Sequence, residues 1–209
     1  MNVHLQKLVR ALGRDRREPL SVIVRKVASN AHAIGCAMRY LRECDAIGAR
    51  ARSFGKPHIE NHGSLVIGDD FAASCTFGTV LLATSARGHI RIGDGVTVNY
   101  GSAITSASHV WLGNRVMVGP YCLIADTDAP LVDENDARPI EIGDDVWLAG
   151  RVTVRRGSRI GAGAVIGAGS VVDGEIPPLA IASGVPARVL RVRRPSEAPS
   201  APRLEDASR

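Results

Sequence analysis

Aromatic side chains are scarce in this chain: Phe, Tyr and Trp together make up 4% of its 209 residues, while hydrophobic residues make up 45%. A core built on large rings is excluded, so any core must be filled by Val, Ile, Leu and Ala. Cysteine is also sparse. Cys36, Cys44, Cys75 and Cys122 form no CxxC pair and no dense set. That excludes a zinc ribbon or a disulfide scaffold, and the four read as buried or free thiols of a reducing cytosol. No apolar run approaches the ~20 residues of a membrane span, and the N-terminus lacks the apolar core of a signal peptide. Histidine is absent after His109, so imidazole chemistry is confined to residues up to that point.

Acidic and basic residues are unevenly placed. The net charge is +5, but residues 1–58 carry 12 Lys/Arg against 4 Asp/Glu, residues 59–187 carry 8 against 14, and residues 188–209 carry 6 against 3. The basic character therefore belongs to the two ends. A basic chain raises the question of nucleic acid, but no aromatic-interleaved basic surface supports it, and no nucleic-acid partner is expected.

What is present is a repeated phrase: aliphatic, any residue, aliphatic, Gly, then usually Asp. It occurs at Leu65-Val66-Ile67-Gly68-Asp69, Ile90-Arg91-Ile92-Gly93-Asp94, Val110-Trp111-Leu112-Gly113-Asn114 and Ile140-Glu141-Ile142-Gly143-Asp144. After the fourth copy an aliphatic residue returns every six positions, at Ile142, Leu148, Val154, Ile160, Ile166 and Val172. Helices repeat every 3.6 residues and strands every two. A period of six fits a triangular coil, in which three units of one short strand and one corner close a turn of about 18 residues. The aliphatic residues then stack inward as columns. The Gly-rich stretch Ile160 to Gly169 superficially matches a dinucleotide fingerprint, but no helical segment follows it, as that motif requires.

Ahead of the repeat, Leu20, Ile23, Val24, Val27, Ala31, Ile34, Met38 and Leu41 predict one amphipathic helix after Pro19, and Leu5, Leu8, Val9 and Leu12 predict a shorter one. These helices either cap the open edges of the first coil or lie on an anionic membrane surface, and the two readings are compatible. From Pro195 the chain is rich in Pro, Ser and Ala, which predicts disorder. The expected organisation is a helical segment at 1–56, a repeat domain at 57–192 and a disordered tail at 193–209.

The repeat resembles the bacterial hexapeptide-repeat acyltransferases, in particular the maltose/galactoside O-acetyltransferase branch and its polysaccharide-decorating relatives. The matching phrases are Val98-Asn99-Tyr100-Gly101, Met117-Val118-Gly119-Pro120, Pro139 to Trp147, Ile176-Pro177-Pro178 and Gly184-Val185-Pro186-Ala187-Arg188. The resemblance implies an all-β fold, the left-handed parallel β-helix, assembled as a homotrimer with its sites between subunits. It implies acyl transfer from acetyl-CoA to a hydroxyl or amine of a sugar in cell-surface polysaccharide or glycolipid synthesis, in the cytoplasm or peripherally at the inner membrane face. It also carries residue roles. Asn99 matches an acceptor-binding position. Trp147, Gly150, Ala168, Pro186, Arg188 and Arg191 match positions that hold CoA. A further basic residue of that site is replaced by Asp173-Gly174-Glu175, for which Arg151, Arg155, Arg156 and Arg159 are candidate substitutes. Trp111 reads as a packing residue.

The family's general base is a loop His, and here its slot holds Ala129 or Pro130, according to the alignment. Neither accepts a proton. The candidates that remain are Asp128 and Asp126 in the same loop, where burial can raise a carboxyl pKa, and His109 on an earlier coil, with His89 beside it in the same role. The alternative is an inactive trimer that binds a ligand or partner. One branch of this fold carries catalytic zinc on three His. His89 and His109 lack a third ligand, so no metal is expected.

Overall fold

A computed structural model describes residues 20–128 and 134–194. The shorter N-terminal helix, the Ala129/Pro130 slot and the tail beyond 194 lie outside the described residues.

The chain winds through three sheets in turn, parallel throughout except for the antiparallel hairpin that ends face 2. Face 1 has seven strands: Ala46–Ile47, Ser64–Ile67, His89–Ile92, His109–Leu112, Ile140–Ile142, Arg159–Ile160 and Glu175–Ile176. Face 2 has eight: Arg52–Phe54, Ala72–Ser74, Thr97–Val98, Met117–Val118, Trp147–Leu148, Val165–Ile166, Ala180–Gly184 and Ala187–Val192. Face 3 has six: His58–Asn61, Leu81–Thr84, Ala103–Ser106, Leu123–Ala125, Thr153–Val154 and Val171–Val172. The solenoid thus expected from the repeat is the observed fold. Ile142, Leu148, Val154, Ile160, Ile166 and Val172 are all buried, as are Leu65, Ile90, Val110 and Ile140 at the first aliphatic place of the phrase. Each is a rung of a column filling the prism.

The Gly-Asp part of the phrase builds the corner between faces 1 and 2. The Asx side chain of each coil accepts a hydrogen bond from a backbone N–H one coil earlier. Asp69 Oδ1 takes that of Ala49 at 2.7 Å, Asp94 Oδ1 that of Asp69 at 2.8 Å, Asn114 Oδ1 that of Asp94 at 2.9 Å, and Asp144 Oδ1 that of Asn114 at 2.8 Å. These corner amides have no ladder partner, so the side chain supplies one. The Gly before each Asx is demanded by close stacking: a Cβ on Gly143 would stand 2.7 Å from the backbone N of Ala162. The next residue is left-handed at Asp70, Arg115 and Asp145. Side chains there pair up the edge, Arg50 with Asp70 and Arg115 with Asp145, each through two hydrogen bonds of 2.5–2.7 Å.

Coils deviate from 18 residues where they carry excursions. Ile142 and Ile160 are one coil apart at 18 residues, whereas Leu112 and Ile142 are 30 apart, the longer connection falling between the face 3 strand that ends at Ala125 and the face 1 strand that begins at Ile140. The chain joins the sheets earlier than the expected boundary at 57, since Ala46–Ile47 and Arg52–Phe54 already pair with the next coil.

The helix Leu20–Tyr40 packs against the strand Arg52–Phe54. It buries Ala33 and Ala37, followed by Leu41, while Met38 is 72% exposed. The expected stripe through Met38 is therefore corrected by about one position. Small alanines let the helix backbone approach the first coil, and Met38 is turned away from it. The arrangement is that of a cap on the first coil.

Candidate functional site

Register fixes what each face shows outward. On face 1 the outward column is Val66, Arg91, Trp111, Glu141, Arg159, Glu175. On face 2 it is Thr97, Met117, Trp147, Val165, Ile181, while Ala72 at the same register is buried. On face 3 it is Leu81, Ala103, Leu123, Thr153, Val171. Face 1 carries charge; faces 2 and 3 are apolar or hydroxylic. Trp147 is half-buried between Met117 and Val165. Gly150 lies at the next corner and Ala168 one coil on, exposed. Pro186 stands at the tip of the hairpin Ala180–Gly184/Ala187–Val192, with Arg188 and Arg191 exposed on its second strand. These positions are distributed along face 2 and its border with face 3.

Asn99 sits at that same border. Its Nδ2 donates to the carbonyl of Val118 at 3.0 Å, so the amide bridges two coils. Beside it runs an aromatic edge, Phe77 to Tyr100 to Tyr121, with ring centroids 5.5 and 5.6 Å apart in T-shaped contact. Phe77 is 76% exposed. Three residues on three coils make this edge, so it has no local sequence signal.

The excursion that should bear the base begins at Asp126. Its carboxylate is 1% exposed and accepts three hydrogen bonds of 2.8 Å, from Ser106 Oγ, Ala107 N–H and Ser108 N–H. Its own carbonyl accepts from Arg138 N–H at 2.9 Å, closing the base of the excursion. Asp128 is exposed and clamped by Arg155 and Arg156, each at 2.8 Å. Those arginines hold its carboxyl below the usual carboxylate range. The expectation of a carboxyl raised by burial is therefore corrected for Asp128: it has neither the burial nor the basicity. Arg155 also reaches Asp173 at 2.6 Å, and Arg156 reaches Asp136 at 2.6 Å. Arg159 lies 3.4 Å from Glu141. Of the four arginines suggested as substitutes at the CoA phosphates, these three are engaged with carboxylates, and Arg151 is exposed.

His109 occupies the start of a face 1 strand, one coil before the end of the excursion. Its Nδ1 is 3.1 Å from Ser108 Oγ. Its ring stacks on His89 with centroids 4.8 Å apart and lies 5.3 Å from the Trp111 ring. Trp111 is 40% exposed and lines a groove of about 1190 Å³ along face 1, so within the chain it is not the packing residue expected. That groove contains none of the residues matched to CoA. Among the described residues, no group of three or more His, Cys, Asp or Glu is arranged to hold a metal. Three of the thiols are poor nucleophiles: burial, reinforced by Asp45 and Glu43, pushes Cys44 up to about 12, and burial raises Cys75 and Cys122.

A three-sided parallel solenoid with Asx-laddered corners and one long excursion defines the class as a hexapeptide-repeat β-helix. The bacterial transferase hexapeptide family (six repeats) matches residues 139–174. The chain is 35% identical over 150 residues to WbbJ of Escherichia coli (strain K12), named as a candidate lipopolysaccharide biosynthesis O-acetyl transferase; the match covers 64% of this chain and 74% of that one. It is 36% identical over 109 residues to the galactoside O-acetyltransferase of the same organism, covering 49% of this chain and 54%, about half, of that relative. A hexapeptide-repeat acetyltransferase of Vibrio cholerae O1 biovar eltor, solved with acetyl coenzyme A, shares the fold at a TM-score of 0.50 and 24% identity, over 75% of this chain and 76% of that one. The chain belongs to the hexapeptide-repeat transferase family.

Proposed function

We propose that the protein is a CoA-dependent acyltransferase, which moves an acetyl group from acetyl-CoA to a hydroxyl or amine of a sugar in cell-surface polysaccharide or glycolipid synthesis. The observation that carries this reading is the 150-residue match to a relative named as an O-acetyl transferase. The placement of Trp147, Gly150, Ala168, Pro186, Arg188 and Arg191 along one face and its end hairpin is consistent with a bound CoA: indole and Pro186 for its apolar parts, guanidinium groups for its phosphates. Asn99 offers an amide to the acceptor.

The working unit in this reading is a homotrimer. Two adjoining faces present Met117, Trp147, Val165 and Ile181, and Leu81, Leu123 and Val171, while the third presents charge. Two different apolar faces on one prism suit a closed ring of heterologous contacts. Use of acetyl-CoA supports a cytoplasmic location in this reading. Among the described residues no helix is long and apolar enough to cross a membrane, and the basic N-terminal segment supports peripheral contact with an anionic inner face.

One observation favours a second reading, a trimer that binds without turnover: the loop carboxylates are committed to Ser106, Ala107 and Ser108 and to Arg155 and Arg156. Calorimetric titration with acetyl-CoA tests the enzyme reading. Saturable binding that weakens at least about tenfold in Trp147→Ala and in Arg188→Ala is expected, and no heat at millimolar acetyl-CoA rejects it.

A further inference from the structure

The family's loop His is absent, yet a buried carboxylate, a serine and an imidazole are joined at the root of that loop. Asp126 is buried and accepts from the backbone N–H of Ser108 at 2.8 Å, and Ser108 Oγ lies 3.1 Å from His109 Nδ1. The neighbouring residues Ser106 and Ala107 are tied to the same carboxylate. The turn that carries Ser108 is therefore held at three points, and the hydroxyl is presented to one specific ring nitrogen. The His89 ring stacks on that of His109, with the two planes 18° apart. Val110 pairs with Ile140, so His109 stands one coil below the loop's exit.

We infer that His109 is the general base of this acyltransferase, with Ser108 and Asp126 as positioning residues. The inference rests on the acyltransferase reading. In the tautomer where Nδ1–H donates to Ser108 Oγ, Nε2 keeps its lone pair for the acceptor. The acceptor O–H or N–H gives its proton to Nε2 while its heteroatom bonds to the thioester carbonyl carbon. The tetrahedral oxyanion then collapses, the C–S bond breaks, and the CoA thiolate leaves with the proton returned from the imidazolium. The reach follows from the proposed trimer. If face 2 of one copy meets face 3 of the next, the remaining cleft is bounded by the Trp147 face of the first. Its other wall is the corner between faces 3 and 1 of the second, where Asp126, Ser108 and His109 lie.

The test has two arms, both on the whole chain. Nitrogen-15 spectra of histidine-labelled protein, assigned with His109→Gln, are expected to show His109 with its proton on Nδ1. That preference should be lost in Ser108→Ala and kept in Ser108→Thr. A proton on Nε2 in the wild type overturns the inference, whether or not the protein is an acyltransferase. The second arm follows thiol release from acetyl-CoA, with glucosamine and methyl galactoside as acceptor probes and water as the background acceptor. His109→Gln should lower kcat by about 10²–10⁴-fold, with acetyl-CoA affinity unchanged. A change under about threefold overturns the inference while leaving the acyltransferase reading intact. Wild-type protein that neither binds acetyl-CoA nor releases thiol instead removes the reading beneath it.

Discussion

Replacing Asp126 by Ala tests the corner geometry on which the site depends. The carboxylate is 1% exposed and is the partner of two backbone N–H groups and one hydroxyl, all at 2.8 Å. Removing it leaves the Ala107 and Ser108 amides without their acceptor, at a cost of about 1–3 kcal/mol for each buried group. Ser106 Oγ can turn to the carbonyl of His89, 3.1 Å away, so its loss is partly recovered. The expected sum is about 3–4 kcal/mol. Asp126→Asn keeps the shape but aims an NH₂ group at an N–H donor, and should cost about 1–3 kcal/mol. Urea unfolding at one fixed protomer concentration measures both, since the stability of an oligomer depends on concentration. Asp145→Ala is the control. Its bonds to Arg115 are at the exposed corner, where a pair is worth about 0–1 kcal/mol. If Asp126→Ala costs no more than Asp145→Ala, the carboxylate is not organising this corner and the reasoning fails.

Asp128→Asn should leave the pH dependence of turnover unchanged, because a carboxylate already held by Arg155 and Arg156 is a weak base; a lost or displaced limb in the pH–rate profile would contradict this. The same pair gives a signed acid response. The folded-state pKa of Asp128 is depressed, so its contribution is complete above the unfolded value of about 3.9 and fades as pH falls through the lower folded value. Wild-type stability minus that of Asp128→Asn should therefore be flat from pH 5 to 8 and shrink only below about 4. Gly143→Ala should destabilise by more than about 1 kcal/mol in thermal melts, because its Cβ would stand 2.7 Å from the Ala162 nitrogen with backbone as the obstacle. The homotrimer proposed above predicts an assembly in light scattering that Leu123→Asp on face 3 breaks and Arg91→Glu on face 1 does not; the reverse would reject the assignment of the faces.

The prism was legible because its rule is local and repeated. Ile142 to Val172 reports the inward column at every sixth residue, and Gly143-Asp144 marks a corner whose stacking demands both residue types. The helix was legible as a helix but not in its rotation: Ala33 and Ala37 look unremarkable beside Met38, and only contact with the first coil selects them. The site was less legible because its contacts join residues 18 to 28 positions apart through coil register. Nothing near Asp126 in the chain reveals its partners, because Ser106 and Ser108 reach it only through the coil register. Asp128 is a candidate base by its place in the loop, but Arg155 and Arg156, the candidate phosphate ligands, close on it. The excursion of the coil between Leu112 and Ile142 changes that register, and no short motif announces which side chains then meet.

Thiol release is the measurement that bears most directly on acyl transfer. Purified protein is incubated with acetyl-CoA and each of a panel of sugar acceptors, and free CoA and acetylated product are counted together. The account predicts equimolar CoA and acetyl-sugar for at least one acceptor, saturable in both substrates and strongly reduced in Trp147→Ala. Acetyl-CoA that binds but yields no product with any acceptor or with water would contradict it and favour the binding trimer.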